Sequence, residues 1–411
     1  MRNDYYRKNF ILNLLGEGIR GLSAGFITPI TILTIFVSQF TSSKIFIGLL
    51  FTIPALGNFA GPILSAYLGA GLKRKKTLLV NLHILYVLCW FAISVFAFIS
   101  SRFTPSGNLI AFFIIYGLSG FLAGIIIPQW FDYIAKILGK KIGTYLGLAF
   151  ALSGGFSIVG ALWAKQVLER VPSPDNFGFC FLFAGLIQLS FPVFIFFQIE
   201  KEDFPLSGRA EFRTYLHNLF KILKEDKNYI HILIVQILLS FGAMSSSFYA
   251  VYAGSKFEMT GNVVGSFTVM LIIGGMVGSI FLGAMGDVIG HSFSLSIAIV
   301  GGIGAALCAL LANSLTLFYI LFFLLGIFLI PTFISCTNLV LEMATIEHRP
   351  SYIALNSMIV SPFAAIAPIL GGIFINAFSY SFVFILTIIV LFPTLIIIKK
   401  KGTGYFFIAG L

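Results

Sequence analysis

Gly283-Ala284-Met285-Gly286-Asp287-Val288-Ile289-Gly290-His291 joins two long apolar runs, and a worn copy of it lies 217 residues earlier. There, Gly61-Pro62-Ile63 precedes a segment ending Gly69-Ala70-Gly71-Leu72-Lys73-Arg74. A shift of 217 carries Gly61 onto Gly278, Ile63 onto Ile280, Gly69 onto Gly286 and Arg74 onto His291. The same shift carries Gly154-Gly155 onto Gly371-Gly372, on another pair of apolar runs. One displacement shared by two regions marks the chain as an internal duplication.

Of the 411 residues, 58% are hydrophobic and 10% charged, and 47 are Phe. Soluble domains carry about 25% charge, so a soluble core is excluded. Apolar runs of the roughly 20 residues needed to cross a bilayer recur along the chain. They are continuously apolar and do not alternate, which excludes a membrane β-barrel. The expected fold is therefore an all-α integral membrane protein. Met1 to Lys8 is basic and leads into an apolar run, as a signal peptide would. That run is too long, contains Glu17 and Arg20 and lacks a small-residue cleavage site, so it reads as a retained first span. Cys89, Cys180, Cys308 and Cys336 are scattered through apolar runs without ligand-like spacing, so neither metal, cofactor nor disulfide is expected.

Twelve spans are expected, near 10–37, 43–71, 77–100, 108–135, 143–165 and 176–198, then 229–254, 263–287, 291–313, 315–342, 352–376 and 378–398. Two six-helix bundles, 1–198 and 229–411, would flank a linker at 199–228. In that linker, Phe212, Leu216, Leu219, Phe220 and Leu223 recur at helical spacing opposite Arg213, His217, Lys221 and Lys224, the pattern of a helix lying on the membrane surface. With a cytoplasmic N-terminus, 20 Lys and Arg fall inside and 5 outside, Arg20 being within a span. This bias puts both termini in the cytoplasm. It also explains the net charge of +11 as membrane-face anchoring, with no nucleic-acid partner.

Two six-span halves with cytoplasmic termini and linker resemble the major facilitator superfamily. Gly283, Asp287, Gly290 and His291 look like that family's signature in the loop between the second and third spans of each half. The resemblance implies that Asp287 latches the two halves when the cytoplasmic side is closed, and Arg349, opening the eleventh span, is a candidate partner. A carboxylate there can accept hydrogen bonds from a helix N-terminus, whose partial positive charge attracts it. In the first-half copy Ala70 replaces the Asp, so no latch is assigned there. Ser153-Gly154-Gly155 lacks the proline of the family's antiporter pattern.

Ionisable groups inside spans are functional-site candidates. Glu17 and Arg20 are three apart on one helix and can pair. The resemblance places this first span on the central cavity, where Glu-x-x-Arg-Gly occurs in exporters of drugs and flippases of glycolipids. Asp132, beside Gln129 and Trp130, would compete with Glu17 for Arg20 and free a carboxylate to carry a proton. Trp130 would stack on a sugar ring or an aromatic drug. Gln236, Tyr249 and Asn338 add neutral hydrogen-bonding groups to the expected cavity, and Glu342 falls at the cytoplasmic gate. No nucleotide-binding or hydrolase motif is present, so an enzyme is not expected. The expectation is a monomeric secondary transporter of the plasma membrane, moving a small neutral or amphipathic solute by proton-coupled efflux. An uptake permease for sugars, an uncoupled facilitator and a non-transporting sensor or scaffold are the rival readings.

Overall fold

A computed structural model describes residues 4–69, 72–138, 142–201, 223, 226–344 and 349–402. Among them every regular element is helical. The first half contains α1 (Asp4–Ala24), the short α2 (Thr34–Ser38), α3 (Lys44–Gly69), α4 (Lys76–Ile99), α5 (Pro105–Leu138), α6 (Ile142–Arg170) and α7 (Asp175–Phe197). The second contains α8 (Lys227–Gly242), the short α9 (Tyr249–Gly254), α10 (Gly261–Ile289), α11 (His291–Leu310), α12 (Leu315–Met343), α13 (Arg349–Ala377) and α14 (Tyr380–Gly402). Eleven segments among the described residues are long and apolar enough to cross a membrane. The remaining expected span, 143–165, falls on the 29-residue α6, which is interrupted by Gly and Ser and carries Lys165. The linker's surface helix and Ala70 lie outside the described residues.

The first span and the seventh are each broken, at matching places. α1 ends at Ala24, and a π-helical turn at Pro29–Leu33 precedes α2. α8 ends at Gly242, and a 3-10 turn at Met244–Ser247 precedes α9. Irregular backbone inside a bilayer must find its hydrogen bonds within the protein. Hydroxyls supply them: Thr34 Oγ1 donates to the Pro29 carbonyl at 2.7 Å, and Ser246 Oγ to the Ala243 carbonyl at 2.6 Å.

The duplication holds, but not as one displacement. Lys44 and Gly261, the first residues of α3 and α10, are 217 apart. Ile142–Arg170 instead maps onto Arg349–Ala377 at 207. The register slips in steps, to 215 at the start of α4 and 210 at the start of α5, because several second-half segments are shorter, α11 with 20 residues against 24 in α4 among them. Gly154-Gly155 and Gly371-Gly372 are therefore not equivalent, which corrects the match read from sequence. A Cβ at Gly155 would meet open space, whereas one at Gly372 would collide with the Lys44 carbonyl. The true echo is a glycine contact. Gly57 and Gly61 sit against the backbones of Gly120 and Gly124, and Gly274 and Gly278 against Phe323 and Ile327. Small residues let α3 approach α5, and α10 approach α12, at backbone distance.

The chain forms two compact units. One is 1–42, 53–209 and 259–269; the other is 43–52, 210–258 and 270–411. In the first, Leu79, Ile125, Tyr133, Tyr145 and Phe191 belong to a buried cluster drawn from α4, α5, α6 and α7. Thr31 and Thr268 share a 2.6 Å hydrogen bond in this unit. In the second, α11 packs on α12 and α14, and Thr52 donates to the Ala365 carbonyl at 2.6 Å.

Candidate functional site

Glu17 and Arg20 form the expected pair. Arg20 Nε donates to Glu17 Oε2 at 2.7 Å, and Nη2 lies 2.6 Å from the same oxygen. The Glu17 side chain is only 3% exposed, against 43% for Arg20. Its burial follows from its neighbours on α1. Gly18 faces Leu152, Gly21 sits on the Ser153 backbone and Gly25 on Gly160 and Ala161. This small-residue stripe draws α6 onto α1 beside a carboxylate about 20 Å along the helix from Asp4 at 1.5 Å per residue.

The other first-half residues are not gathered around this pair. Asp132 is 58% exposed near the end of α5 and forms an ion pair with Lys75, in the turn before α4. The expected competition with Glu17 for Arg20 is corrected accordingly: the basic turn claims Asp132. Gln129 is buried between α5 and α3, where Nε2 donates to the Ser65 carbonyl at 2.6 Å and lies 3.0 Å from Ser65 Oγ. This amide serves helix packing. Trp130 rests on Phe131 and Tyr145 against the buried cluster, and its indole N–H has no partner among the described residues.

The second unit holds a cavity of about 320 Å³. It is lined by α8, by Ser246 and Ser247 of the broken turn, by α12 and α13, and by Phe51. Gln236 and Asn356 reach it as a reciprocal pair. Gln236 Nε2 donates to Asn356 Oδ1 at 2.7 Å, and Asn356 Nδ2 to Gln236 Oε1 at 3.1 Å. Tyr249, expected in the cavity, is buried instead, bonded to Ser245 Oγ at 2.8 Å and packed on Phe384. Asn338 is half-buried on α12 and is not among the residues that line the cavity.

At the signature stretch Gly290 has φ +116° and ψ 144°. A Cβ disfavours that conformation, and Gly provides the tight reversal between α10 and α11. Gly283 faces open space. His291 Nε2 then lies 3.8 Å from Asp287 Oδ1 and 3.6 Å from Glu342 Oε1, the latter on α12. Asp287 is 78% exposed. Its described partner is thus the motif's own histidine. Arg349 opens α13, and its side chain lies outside the described residues. Asp132 with Lys75 and Glu342 with His291 are matching arrangements: a carboxylate near the end of α5 or α12 faces the basic turn of its own half.

One residue escaped the sequence reading. The Glu200 carboxylate accepts the backbone N–H groups of Lys75 at 2.8 Å and Lys76 at 2.9 Å, and pairs with Lys136 Nζ at 2.9 Å. It is 1% exposed and caps the N-terminus of α4, where a negative charge is favoured. Asn9 fastens the preceding residue, exchanging two 2.8 Å hydrogen bonds with the Ile199 backbone. The only sequence hint is an acidic residue just past an apolar run, which reads equally as solvated linker.

Residues 232–401 match the model of the Major Facilitator Superfamily. No curated protein matches the chain. Among solved structures, a mutant of the nucleoside transporter NupG is 13% identical with a TM-score of 0.71, over 97% of this chain and 99% of that one. A POT family transporter in complex with 5-aminolevulinic acid is 10% identical with a TM-score of 0.75, over 96% of both chains. A bacterial homologue of the iron transporter ferroportin is 11% identical with a TM-score of 0.70, over 96% of this chain and 98% of that one. These likenesses concern the fold. Residues 232–401 thus match the Major Facilitator Superfamily by sequence, and the whole chain shares its fold with these solved transporters.

Proposed function

We propose that this chain is a secondary transporter that moves a small neutral or amphipathic solute outward by alternating access, coupled to protons through Glu17. The observation that carries the reading is the buried Glu17 carboxylate, paired with a half-exposed Arg20 within a broken first span. A membrane-embedded carboxylate is costly unless paired and marks ion or proton pathways. Protonation of Glu17 neutralises it and releases Arg20, so the pair has two discrete states. Broken helices line substrate and coupling-ion sites in transporters of several folds, and the break in the seventh span lines the cavity of the second unit.

The reading extends to a monomer in the plasma membrane with both termini in the cytoplasm. Asp287, His291 and Glu342 would form the cytoplasmic gate of the second half, and Arg349 would complete it. Glu17→Gln removes the titrating group while keeping its shape. In proteoliposomes it should abolish pH-driven solute movement. Undiminished pH-driven movement in that variant would remove Glu17 as the carrier, and movement indifferent to any gradient would leave a facilitator.

A further inference from the structure

We infer that the cavity of the second unit recognises an uncharged, hydroxyl-bearing group carried on an apolar body, as in an aryl or alkyl glycoside, with Ser247 and Thr332 as the residues that read its hydroxyls. The inference rests on the transporter reading for the solute's route, and on the cavity alone for its chemistry.

Three observations converge. First, no ionisable carboxylate, ammonium, guanidinium or imidazole lines the cavity. A charged solute entering it would surrender its hydration without a counter-charge, a penalty far above that of a neutral polar group. Second, Ser247 and Thr332 line the cavity, and their hydroxyl oxygens, shielded from it in this structure, find no hydrogen-bond partner among the described residues, so turning toward a guest would break no bond. Buried hydroxyls are almost always satisfied, and one left alone costs about as much as a lost hydrogen bond. Two such orphans in one cavity fit a ligand that supplies both donors and acceptors, as a sugar hydroxyl does. Third, the Gln236–Asn356 pair is half used. Each amide spends one N–H and one lone pair on the other and keeps one of each for a guest. The remaining wall is apolar and aromatic, with Phe51, Phe328 and Phe333 among its residues, which suits the C–H side of a ring or an aglycone. The volume of about 320 Å³ suits one small molecule.

The probe is tritiated phenyl β-D-glucopyranoside, with binding to the full-length protein read by scintillation proximity. Saturable binding is expected. Unlabelled phenyl phosphate and ethylbenzene, the charged and hydroxyl-free analogues, should compete at least tenfold more weakly than unlabelled glucoside. Ser247→Ala and Thr332→Val should each weaken binding about tenfold, the worth of a hydrogen bond at a buried site. Absent saturable binding, equal competition by phenyl phosphate, or unchanged affinity in both variants would overturn the assignment. The competition order is read on the unaltered protein, so a misfolded variant does not obscure it. Flux separates the two readings. Glucoside binding without gradient-driven movement of the glucoside or any other solute sinks the transporter and keeps the site. Gradient-driven movement of other solutes without glucoside binding does the reverse.

Discussion

Replacing Glu200 by alanine should cost more stability than any single change at the more conspicuous charges of the basic turn. The carboxylate is buried and serves three donors: two backbone N–H groups at the start of α4 and the Lys136 ammonium. Lys136 is itself largely buried and would lose its carboxylate while keeping its 3.0 Å bond to the Lys73 carbonyl. Removing one partner of a buried ion pair costs about 3–5 kcal/mol, because the other charge remains desolvated. We therefore expect about 3–5 kcal/mol for Glu200→Ala. Glu200→Gln keeps one acceptor and loses the charge, for about 2–3 kcal/mol. Lys136→Ala leaves Glu200 with both backbone donors, for about 1–2 kcal/mol. Trp90, Trp130 and Trp163 are the chain's three tryptophans, and all lie in the first unit. Intrinsic fluorescence during denaturation in mixed micelles thus reports that unit. A Glu200→Ala variant within about 0.5 kcal/mol of the parent, the range of an ordinary surface change, would refute the reasoning. So would a Lys136→Ala variant that costs as much as Glu200→Ala.

Gly57→Ala would drive a methyl into the Gly120 carbonyl and should destabilise by about 1–3 kcal/mol or more. Gly155→Ala meets open space and should stabilise by about 0.4–1 kcal/mol through the unfolded chain. Melting the two variants side by side checks both signs. Gly290→Ala should cost about 1–3 kcal/mol in the same assay. Gly290→Asn should not recover it, because the backbone at φ +116° and ψ 144° borders a region that is essentially glycine's alone. A double-mutant cycle on Gln236→Leu and Asn356→Leu should give a favourable coupling of about 1 kcal/mol, since each single change strands the other amide. Additive costs would contradict the reciprocal pair.

What could be read from the sequence was local or periodic. Glu17 and Arg20 are three residues apart on one helix, so helical geometry alone brings them together. The tight reversal at Gly290 was legible because only a residue without a Cβ fits it. What failed depended on contacts between distant segments. The Asp132–Lys75 pair spans two helices, and no local pattern favours Lys75 over Arg20 as its partner. Glu200 meets Lys136 and the α4 N-terminus from beyond the sixth span. Trp130 and Tyr249 could equally have faced a cavity or a core by type, and packing decided for the core. The Gly154-Gly155 match failed because several shorter segments of the second half, α11 among them, shift the register stepwise. A chain with 41 glycines offers many accidental pairs at any fixed displacement.

Solute movement in proteoliposomes under two conditions, for the parent and for Glu17→Gln, tests the coupling most directly. One condition is equilibrium exchange of labelled phenyl β-D-glucopyranoside without a gradient; the other is its accumulation against a concentration difference under an imposed pH gradient. Coupling through Glu17 predicts exchange in both proteins and uphill accumulation in the parent alone. Equal uphill accumulation in Glu17→Gln would contradict it, as would a parent that exchanges the solute and never accumulates it.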